Sequence, residues 1–366
     1  DPSAYPPALQ ALAAKIRDGV RLSPEDALLC FETPHVLALG RLANAVRRRM
    51  HGNTVFYNLN RHINPTNVCV YTYNCKFCSY AAMKGEAHAW QMSHDEIYRQ
   101  AADQGGNDVT EFHIVGGLHP DIDMAWYEEM LRGLKARFPK AHLKAFTAIE
   151  IGWFARREKA TIEEVLRRLT AAGLGSLPGG GAEIFHPEVR EIICDGKLDA
   201  DEWIEVHRVA HRLGIKSNCT MLYGHVEENR HKVDHLLRLR SLQDEYGGFN
   251  AFIPLAYHPE NNYLGLKYHT TGLDDLRHIA TARLVLDNIP HVKAYWVMVT
   301  PKLAQVALSF GADDLDGTVV RETIYHMAGA ETAQMMPTTE LERVVRAAGF
   351  TPVERDTLYN EVIRAN

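Results

Sequence analysis

The chain contains 366 residues, of which 46% are hydrophobic, so it is long enough to bury a large core as one barrel or as two smaller domains. Its 40 Lys and Arg residues are outnumbered by 46 Asp and Glu residues, for a net charge of −6, which argues against a nucleic-acid or anionic-membrane partner. No apolar stretch reaches the length of a membrane span and no signal-peptide pattern opens the sequence, so we expect a cytoplasmic protein.

The first 50 residues are predicted to form three helices. Apolar residues recur at helical spacing within Leu9–Val20. The run Ser23–Asp26 combines an N-cap residue, a proline at the first helical position and acids in the first turn, which is typical of a helix start. A third helix is expected at about 36–50, and the basic run Arg47–Arg49 within it is interpreted as a solvated helix face.

After residue 50, apolar β-rich runs alternate with amphipathic helical stretches. The candidate strands are Ile63–Val68, Glu111–Val115, His142–Ile149, Gly175–Leu177, Lys216–Leu222, Ala251–Ala256, Lys293–Val299 and Leu308–Gly311. The candidate helices are 93–104, 123–138, 161–173, 200–213, 229–246, 272–288 and 301–307. Strands joined by helical crossovers predict an α/β fold, a closed parallel (β/α)8 TIM-type barrel, with an open doubly wound sheet as the alternative.

The end of the chain is predicted to be irregular at 319–335 and helical at 338–349, where Thr338-Thr339 forms the cap. No internal repeat and no flexible linker divides the sequence. We therefore expect an N-terminal helical extension over 1–50, a barrel over 51–318 and a short C-terminal extension over 319–366 that packs on the barrel.

Three of the six cysteines, Cys69, Cys75 and Cys78, lie within ten residues, after the first predicted strand. Six cysteines in a chain of this length do not indicate a disulfide framework. In a barrel the loop after the first strand opens on the C-terminal face, where active sites lie. Thiolates suit both zinc and Fe–S clusters. A zinc site would need a fourth ligand such as His62 or His88, whereas a cluster held by three thiolates leaves one iron open for a small chelating ligand.

The cysteine triplet, with Phe77 just before its third member, resembles the motif of the radical S-adenosylmethionine (SAM) superfamily. The resemblance implies that the cysteines hold a 4Fe–4S cluster whose open iron is chelated by SAM, and that SAM is cleaved to methionine and a 5′-deoxyadenosyl radical. It also implies a reductant such as a flavodoxin or ferredoxin. The usual spacing is three residues and then two, whereas five residues separate Cys69 from Cys75 here.

The end of the second predicted strand is a candidate for holding SAM. Gly116 and Gly117 let the backbone approach a ligand closely, although an ordinary tight turn gives the same pattern. The superfamily commonly has Gly-Gly-Glu at this place, where its backbone contacts the methionine amino group, and Leu118 replaces the acid here. Glu150, beyond the third predicted strand, is a candidate for binding the ribose of SAM or is a solvated acid.

A second glycine-rich segment, Pro178–Glu183, follows the fourth predicted strand. Gly180 and Gly181 can present backbone N–H groups to a polar ligand. Glu183 can accept a hydrogen bond from a ribose hydroxyl or from the methionine ammonium. The segment lacks the lysine and the spacing of a phosphate-binding loop.

Several further segments carry a closer resemblance within the superfamily. They are 62–67, 116–120, 176–185, 217–225, 252–259 and 311–318, with 80–90 and 290–296. Together they resemble the aminofutalosine synthases of the futalosine route to menaquinone. The resemblance implies a small-molecule substrate, 3-[(1-carboxyvinyl)oxy]benzoate, whose vinyl carbon receives the adenosyl radical before rearrangement and decarboxylation give 6-amino-6-deoxyfutalosine. Alternatives are a sister enzyme, either a dehypoxanthine futalosine cyclase or a deazaflavin-cofactor synthase subunit, and a zinc-stabilised binding module.

The implied substrate carries two carboxylates, so hydrogen-bond donors near strand ends are candidate catalytic residues. They are Asn218, Thr220, Tyr223, His258 and His119. Asn218 and Thr220 are two apart in a strand and therefore face the same side. Tyr223 and His258 can instead pack at the rim. Cys219 is expected to face the helices as a packing residue, as are Cys30 and Cys194.

Overall fold

The computed structural model describes residues 1–103 and 108–364. The strands are β1 (Thr54–Asn58), β2 (Asn60–Ile63), β3 (Glu111–Ile114), β4 (His142–Ala145), β5 (Ser176–Leu177), β6 (Lys216–Tyr223), β7 (Phe249–Ala256), β8 (His291–Val292), β9 (Asp314–Gly317) and β10 (Thr351–Glu354). The helices of the first half are α1 (Pro7–Arg17), α2 (Pro24–Glu32), α3 (Val36–His51), α4 (His94–Ala102), α5 (Met124–Arg137), α6 (Ala148–Glu158), α7 (Ile162–Ala172) and α8 (Pro187–Cys194). Those of the second half are α9 (Ala200–Arg212), α10 (Asn229–Tyr246), α11 (Gly272–Val285), α12 (Trp296–Val299), α13 (Pro301–Ala307), α14 (Ile324–Met327) and α15 (Thr338–Ala347).

The strands β2 to β8 form one parallel sheet in chain order, with helices in the connections. A second parallel sheet has the order β10-β1-β9. Isolated bridges join the two sheets, between Lys293 and Asp314 on one side and between Arg61 and Val320 on the other. The predicted TIM-type parallel α/β fold is therefore confirmed, and the segment that begins with β9 connects the two edges of the main sheet.

The last two predicted strands are wrong in position. Lys293–Val299 contains the helical turn α12, and the strand β8 ends just before it. The run Leu308–Gly311 is a 3-10 helix over its first three residues, and Gly311 ends that helix at φ 109°. Short apolar runs do not distinguish strand from helix, and the eighth strand position is taken by β9, whose acidic residues do not follow an apolar pattern.

The ends of two other predicted strands also differ. Ile63–Val68 leaves the sheet after its first residue, because Pro65 has no N–H to donate. His142–Ile149 stops at Ala145, and Thr147 then caps α6 through a capping box. A capping pair of Thr and Glu three residues apart is a helix-start signal, and the apolar run that follows it belongs to the buried face of α6.

The predicted helices agree with the structure to within about three residues at their ends, but α6 and α8 were not predicted. The predicted cap at Thr338-Thr339 is wrong, because Pro337 is the N-cap of α15 and Thr338 is its first residue. Ser23 caps α2 through a capping box with Asp26. The predicted helix 93–104 corresponds to α4 over the described residues, and residue 104 is not among them. The interpretation of Arg47 as part of a solvated helix face is wrong. Its side chain is fully buried and donates to the carbonyl oxygens of Gly52 and Ala312. Among the described residues, no helix has the length and apolar character that a membrane span requires.

Candidate functional site

A cavity of about 300 Å³ opens at the carboxyl ends of the strands of the main sheet, which is where this fold class places its binding sites. Its walls are mostly apolar or formed by glycine backbone. Its charged and polar lining residues are His62, His113, Lys144, Thr147, Glu150, Glu183, Lys197, Asn218, Thr220, Asp316 and Glu322. Its other predicted lining residues are Cys69, Cys75, Phe77, Cys78, Gly116, Gly117, Gly180 and Gly181. The structure thus brings the cysteine triplet, both glycine-rich segments and both predicted glutamates to one place.

The long loop after β2 carries the three cysteines to the cavity. The backbone N–H of Cys69 donates to the carbonyl oxygen of Ala82 at 2.9 Å, and that of Cys78 donates to the carbonyl oxygen of Cys75, also at 2.9 Å. Gly117 lies directly against this loop, since a Cβ atom at that position would stand 2.2 Å from the carbonyl oxygen of Val68. The close approach explains why the end of β3 needs glycine.

The described residues do not form a compact zinc site around the cysteines. A tetrahedral Zn²⁺ at about 2.3 Å from its thiolates holds them about 3.8 Å apart. Within residues 1–103 and 108–364, the groups with ligand atoms mutually within 4.8 Å do not include the three cysteines, nor any cysteine joined by His62 or His88. Thiolate sulfur is the ligand that Fe–S clusters use, and all three cysteines line one cavity, so the donor set fits a three-thiolate Fe–S cluster.

The electrostatic surroundings of the cysteines include one buried cation. Burial raises the pKa of the Cys75 thiol, and the nearby Lys197 ammonium opposes that rise. Lys197 is almost fully buried and forms an ion pair with Glu183, at 2.6 Å between Nζ and Oε1. Its Nζ also lies 5.4 Å from the centre of the Phe77 ring. Burial acts to lower the pKa of Lys197, but Glu183 and Cys75 hold it above its usual value, so the ammonium stays charged beside the thiols.

The segment between β5 and α8 packs its glycines against the neighbouring strand. A Cβ atom on Gly179 would lie 2.6 Å from the backbone of Cys219. The carbonyl oxygen of Gly180 accepts from the Trp203 indole at 3.1 Å. Glu183 has a positive φ of 47°, an uncommon conformation for a residue with a side chain, and it directs the carboxylate toward Lys197 and the cavity.

Glu150 lies in the first turn of α6 rather than at a strand end. Its carboxylate accepts from the backbone N–H of Gly116 at 3.2 Å and of Thr147 at 2.7 Å. Burial raises its pKa to about 7 in spite of these hydrogen bonds, which act to lower it. A buried carboxyl that titrates near neutrality inside a cavity is typical of a functional group.

Asn218 and Thr220 both face the cavity from β6. The Thr220 hydroxyl donates to the carbonyl oxygen of Gly179 at 2.7 Å. The Asn218 side chain forms no hydrogen bond with the described part of the chain, so its amide remains available for a ligand. Cys219, between them, is fully buried and its thiol donates to the Ala251 carbonyl oxygen at 3.7 Å, as the packing interpretation predicts; Cys30 and Cys194 are buried as well.

The other three candidate catalytic residues do not line this cavity. The Tyr223 hydroxyl donates to Asp275 at 2.8 Å, behind the sheet. His119 accepts at Nδ1 from the backbone N–H of Asp121 at 3.1 Å. His258 lines a neighbouring cavity. The prediction rested only on their positions near strand ends. Successive residues of a strand point to opposite faces, so a position near a strand end does not by itself direct a side chain into the cavity.

The sequence interpretation missed two buried lysines, of which Lys144 lines the cavity. Lys144, on β4, forms an ion pair with Glu111 at 2.5 Å, and Lys293, after β8, pairs with Asp316. Ion pairing lowers the pKa of Asp316 against the effect of burial. A lysine inside an apolar strand pattern was the available signal, since a fully buried lysine needs an acidic partner.

Known protein families and individual proteins are similar to this chain over nearly its whole length. Residues 63–240 match the family described as the radical SAM superfamily, and residues 246–364 match the CofH/MqnC C-terminal region. The chain is 46% identical to the aminodeoxyfutalosine synthase of Thermus thermophilus, covering 97% of this chain and 96% of the relative. It is 45% identical to the aminodeoxyfutalosine synthase of Streptomyces coelicolor, covering 96% and 93%.

Proteins with other names are also similar. A 5-amino-6-(D-ribitylamino)uracil–L-tyrosine 4-hydroxyphenyl transferase of Methanopyrus kandleri is 39% identical, covering 96% of this chain and 95% of the relative. A cyclic dehypoxanthine futalosine synthase of Streptomyces coelicolor is 38% identical, covering 97% and 89%.

Solved structures share the fold at low sequence identity. HydG, a maturase of the [FeFe]-hydrogenase, superimposes with a TM-score of 0.75 at 16% identity, covering 94% of this chain and 76% of that one. Methylornithine synthase superimposes with a TM-score of 0.70 at 17% identity, covering 93% and 97%. Both likenesses support the barrel topology.

Proposed function

The chain belongs to the radical SAM superfamily, and from that premise we propose that it is an aminodeoxyfutalosine synthase. The proposed reaction joins the 5′-deoxyadenosyl group of SAM to the vinyl carbon of 3-[(1-carboxyvinyl)oxy]benzoate. Rearrangement and loss of the carboxyl carbon then give 6-amino-6-deoxyfutalosine. The observation that carries the proposal is the identity of 45–46% with two aminodeoxyfutalosine synthases over nearly the whole chain, against 38–41% for the similar proteins with other names.

Enzymes of this superfamily use a 4Fe–4S cluster and SAM. Cys69, Cys75 and Cys78 would hold the cluster. When bound, the cluster and SAM together supply a 5′-deoxyadenosyl radical after reduction, for which we propose a flavodoxin- or ferredoxin-type donor.

The chain itself would bind and orient SAM through the two glycine-rich segments. Backbone groups of Gly116, Gly180 and Gly181 line the cavity without side chains that would exclude a ligand. Glu183, held by Lys197 at 2.6 Å, is in position to accept a hydrogen bond from an ammonium or hydroxyl group. Glu150 stands beside Gly116 and can either accept or donate a hydrogen bond near neutral pH, because its pKa is about 7.

The far side of the cavity would bind the two carboxylates of the substrate. Asn218 offers an amide with no hydrogen bond to the described residues, and Lys144 carries N–H groups beyond the one engaged by Glu111. Apolar walls exclude water, which protects a reactive species from quenching. The Lys144–Glu111 ion pair fixes this ammonium group in place, so orientation of the substrate costs little rearrangement.

The experiment is a product assay on anaerobically reconstituted protein with SAM and dithionite. One sample receives 3-[(1-carboxyvinyl)oxy]benzoate, a second receives dehypoxanthine futalosine, and a third receives tyrosine with 5-amino-6-(D-ribitylamino)uracil. Mass spectrometry should detect 6-amino-6-deoxyfutalosine in the first sample only. Deoxyadenosine without aminofutalosine in the first sample, together with product in either of the others, would assign the chain to a sister enzyme.

A further inference from the structure

A second group of ligand-type side chains lies outside the cysteine cavity, beyond the end of β7. His258, Glu260 and His269 line a separate cavity with residues of α11 and the start of α13. One ligand atom from each of the three lies within 4.8 Å of those from the other two. Two imidazoles and one carboxylate at this separation form a donor set typical of Zn²⁺ and of other divalent first-row metals.

The hydrogen bonds of the group leave ligand atoms free. His258 accepts no bond at Nδ1, which is buried, and its Nε2 lies 3.3 Å from the carbonyl oxygen of Met298. A carbonyl oxygen can only accept, so Nε2 carries the proton and Nδ1 presents its lone pair. Metal-binding histidines usually donate their other N–H to such a carbonyl group.

The carboxylate of Glu260 is likewise only partly engaged. Its Oε1 lies 2.7 Å from Nε2 of His269, whereas Oε2 is buried and has no hydrogen-bond partner. A buried carboxylate oxygen without a partner costs free energy that a bound cation would recover. Nδ1 of His258 and Oε2 of Glu260 therefore both offer an unpartnered lone pair to a cation.

Two other groups of similar composition in the described residues are less suited to a cation. In the group of His51, His291 and Asp313, the aspartate is already paired with the Arg283 guanidinium, so a cation would be repelled. In the group of His186, Glu188 and His231, Nδ1 of His231 accepts the backbone N–H of Glu228 at 3.1 Å. Its Nε2 then carries the proton, and the carboxylate of this group belongs to Glu188, whose side chain is 67% exposed.

We propose that His258, Glu260 and His269 bind one divalent transition-metal ion, with Zn²⁺ as the primary candidate. His258 binds through Nδ1, Glu260 through its carboxylate, and His269 through a ring nitrogen freed by a shift of its proton to the other one. Water completes the coordination, because the side chains supply three ligands to a metal that takes four.

The position of the group indicates what the ion does. The segment that carries it is joined to the cysteine loop by two hydrogen bonds, from the Ser79 hydroxyl to the Glu260 carbonyl oxygen and from the Tyr263 N–H to the Lys76 carbonyl oxygen, each at 2.7 Å. Ser79 and Lys76 are next to Cys78 and Cys75 in the chain. A metal that cross-links the 258–269 segment at both ends therefore restrains the surface on which the cysteine loop rests.

The test measures Zn²⁺ binding to anaerobically reconstituted protein that contains its Fe–S cluster. Isothermal titration with Zn²⁺ should give one site, and X-ray absorption at the zinc edge should show nitrogen and oxygen ligands without sulfur. The variants H269Q and E260Q should each weaken binding by more than the roughly 10–100-fold that loss of an outer hydrogen-bond partner causes. His269 has a half-exposed side chain, so H269Q removes a ligand without disturbing the core.

The matched control is H88Q, which replaces a similarly exposed histidine that lies 3.7 Å from Glu86 and has no second histidine beside it. This variant should bind Zn²⁺ like the parent. Sulfur ligands in the absorption spectrum, equal affinity of H269Q and the parent, or an equal loss in H88Q would each overturn the proposal. Because Zn²⁺ binding is measured without turnover, the result is independent of which substrate the enzyme uses.

Discussion

Glu150 provides a quantitative test of how the cavity controls protonation. Its carboxyl is buried and its pKa is raised from 4.5 to about 7, chiefly by desolvation. In the unfolded chain the same group ionises near 4.5. Between these two values the folded protein holds a proton that the unfolded chain has lost, so the free energy of unfolding falls as pH rises.

The size of the effect follows from the shift. Each unit of pKa corresponds to about 1.4 kcal/mol, so ionisation of Glu150 costs the folded state about 3 kcal/mol once the pH exceeds 7. The substitution Glu150→Gln removes this titration. The variant also changes the hydrogen bonds from Gly116 and Thr147, but that change is the same at every pH. The stability of the variant relative to the parent should therefore increase by about 3 kcal/mol between pH 4.5 and pH 8.

The assay is urea unfolding of both proteins without cluster at several pH values in that range, followed by circular dichroism. The expected signature is a difference in unfolding free energy that depends on pH and levels off above 7. Infrared spectroscopy supplies an independent measurement, since a protonated carboxyl band near neutral pH should be absent from the variant. A difference that stays constant from pH 4.5 to 8 would refute the inference that burial controls the protonation of Glu150.

Further substitutions at four positions, one of them combined with a change at Glu183, test the site. Cys75→Ala should abolish iron binding and SAM cleavage, whereas Cys219→Ala should retain both and lose only about 1 kcal/mol of stability from the small cavity it creates; iron content and deoxyadenosine release measure these. Asn218→Ala should lower aminofutalosine formation by 10-fold or more, on the order of one lost hydrogen bond to a charged group, with SAM binding by calorimetry unchanged. Lys197→Met should destabilise the protein by roughly 3–5 kcal/mol, and the added change Glu183→Gln should recover much of it, as a double-mutant cycle in urea can show.

Helix positions could be predicted well because their signals are local. The capping boxes that begin at Ser23, Thr161 and Thr271 are complete within four residues of sequence, so each start could be read without knowledge of the fold. Strand positions depended on tertiary context. β1 and β10 pair in register with each other although nearly 300 residues separate Thr54 from Thr351, and no local pattern contains that pairing.

The candidate site was predictable where chemistry restricts the residue type. Three thiols and two glycine pairs are rare combinations, and the fold brings them to one cavity. The polar residues at strand ends were harder, because Tyr223 and Thr220 lie only three apart in β6 yet face opposite sides. Lys144 was overlooked because its partner Glu111 lies on a neighbouring strand, and such a pair is recognisable only after the strand order is known.

The five residues between Cys69 and Cys75 are explained by what the longer loop contacts. The Thr72 hydroxyl donates to the Cys69 carbonyl oxygen at 2.6 Å, which turns the chain back so that Cys75 returns to the cavity. At the far point of this turn, the Asn74 side chain donates to the carbonyl oxygen of Asp195 at 3.0 Å, just after α8. Because a longer loop has more conformational entropy to lose, these contacts offset the cost of its extra residues. The contacts of Thr72 and Asn74 therefore direct the longer loop so that its three cysteines all line the cavity.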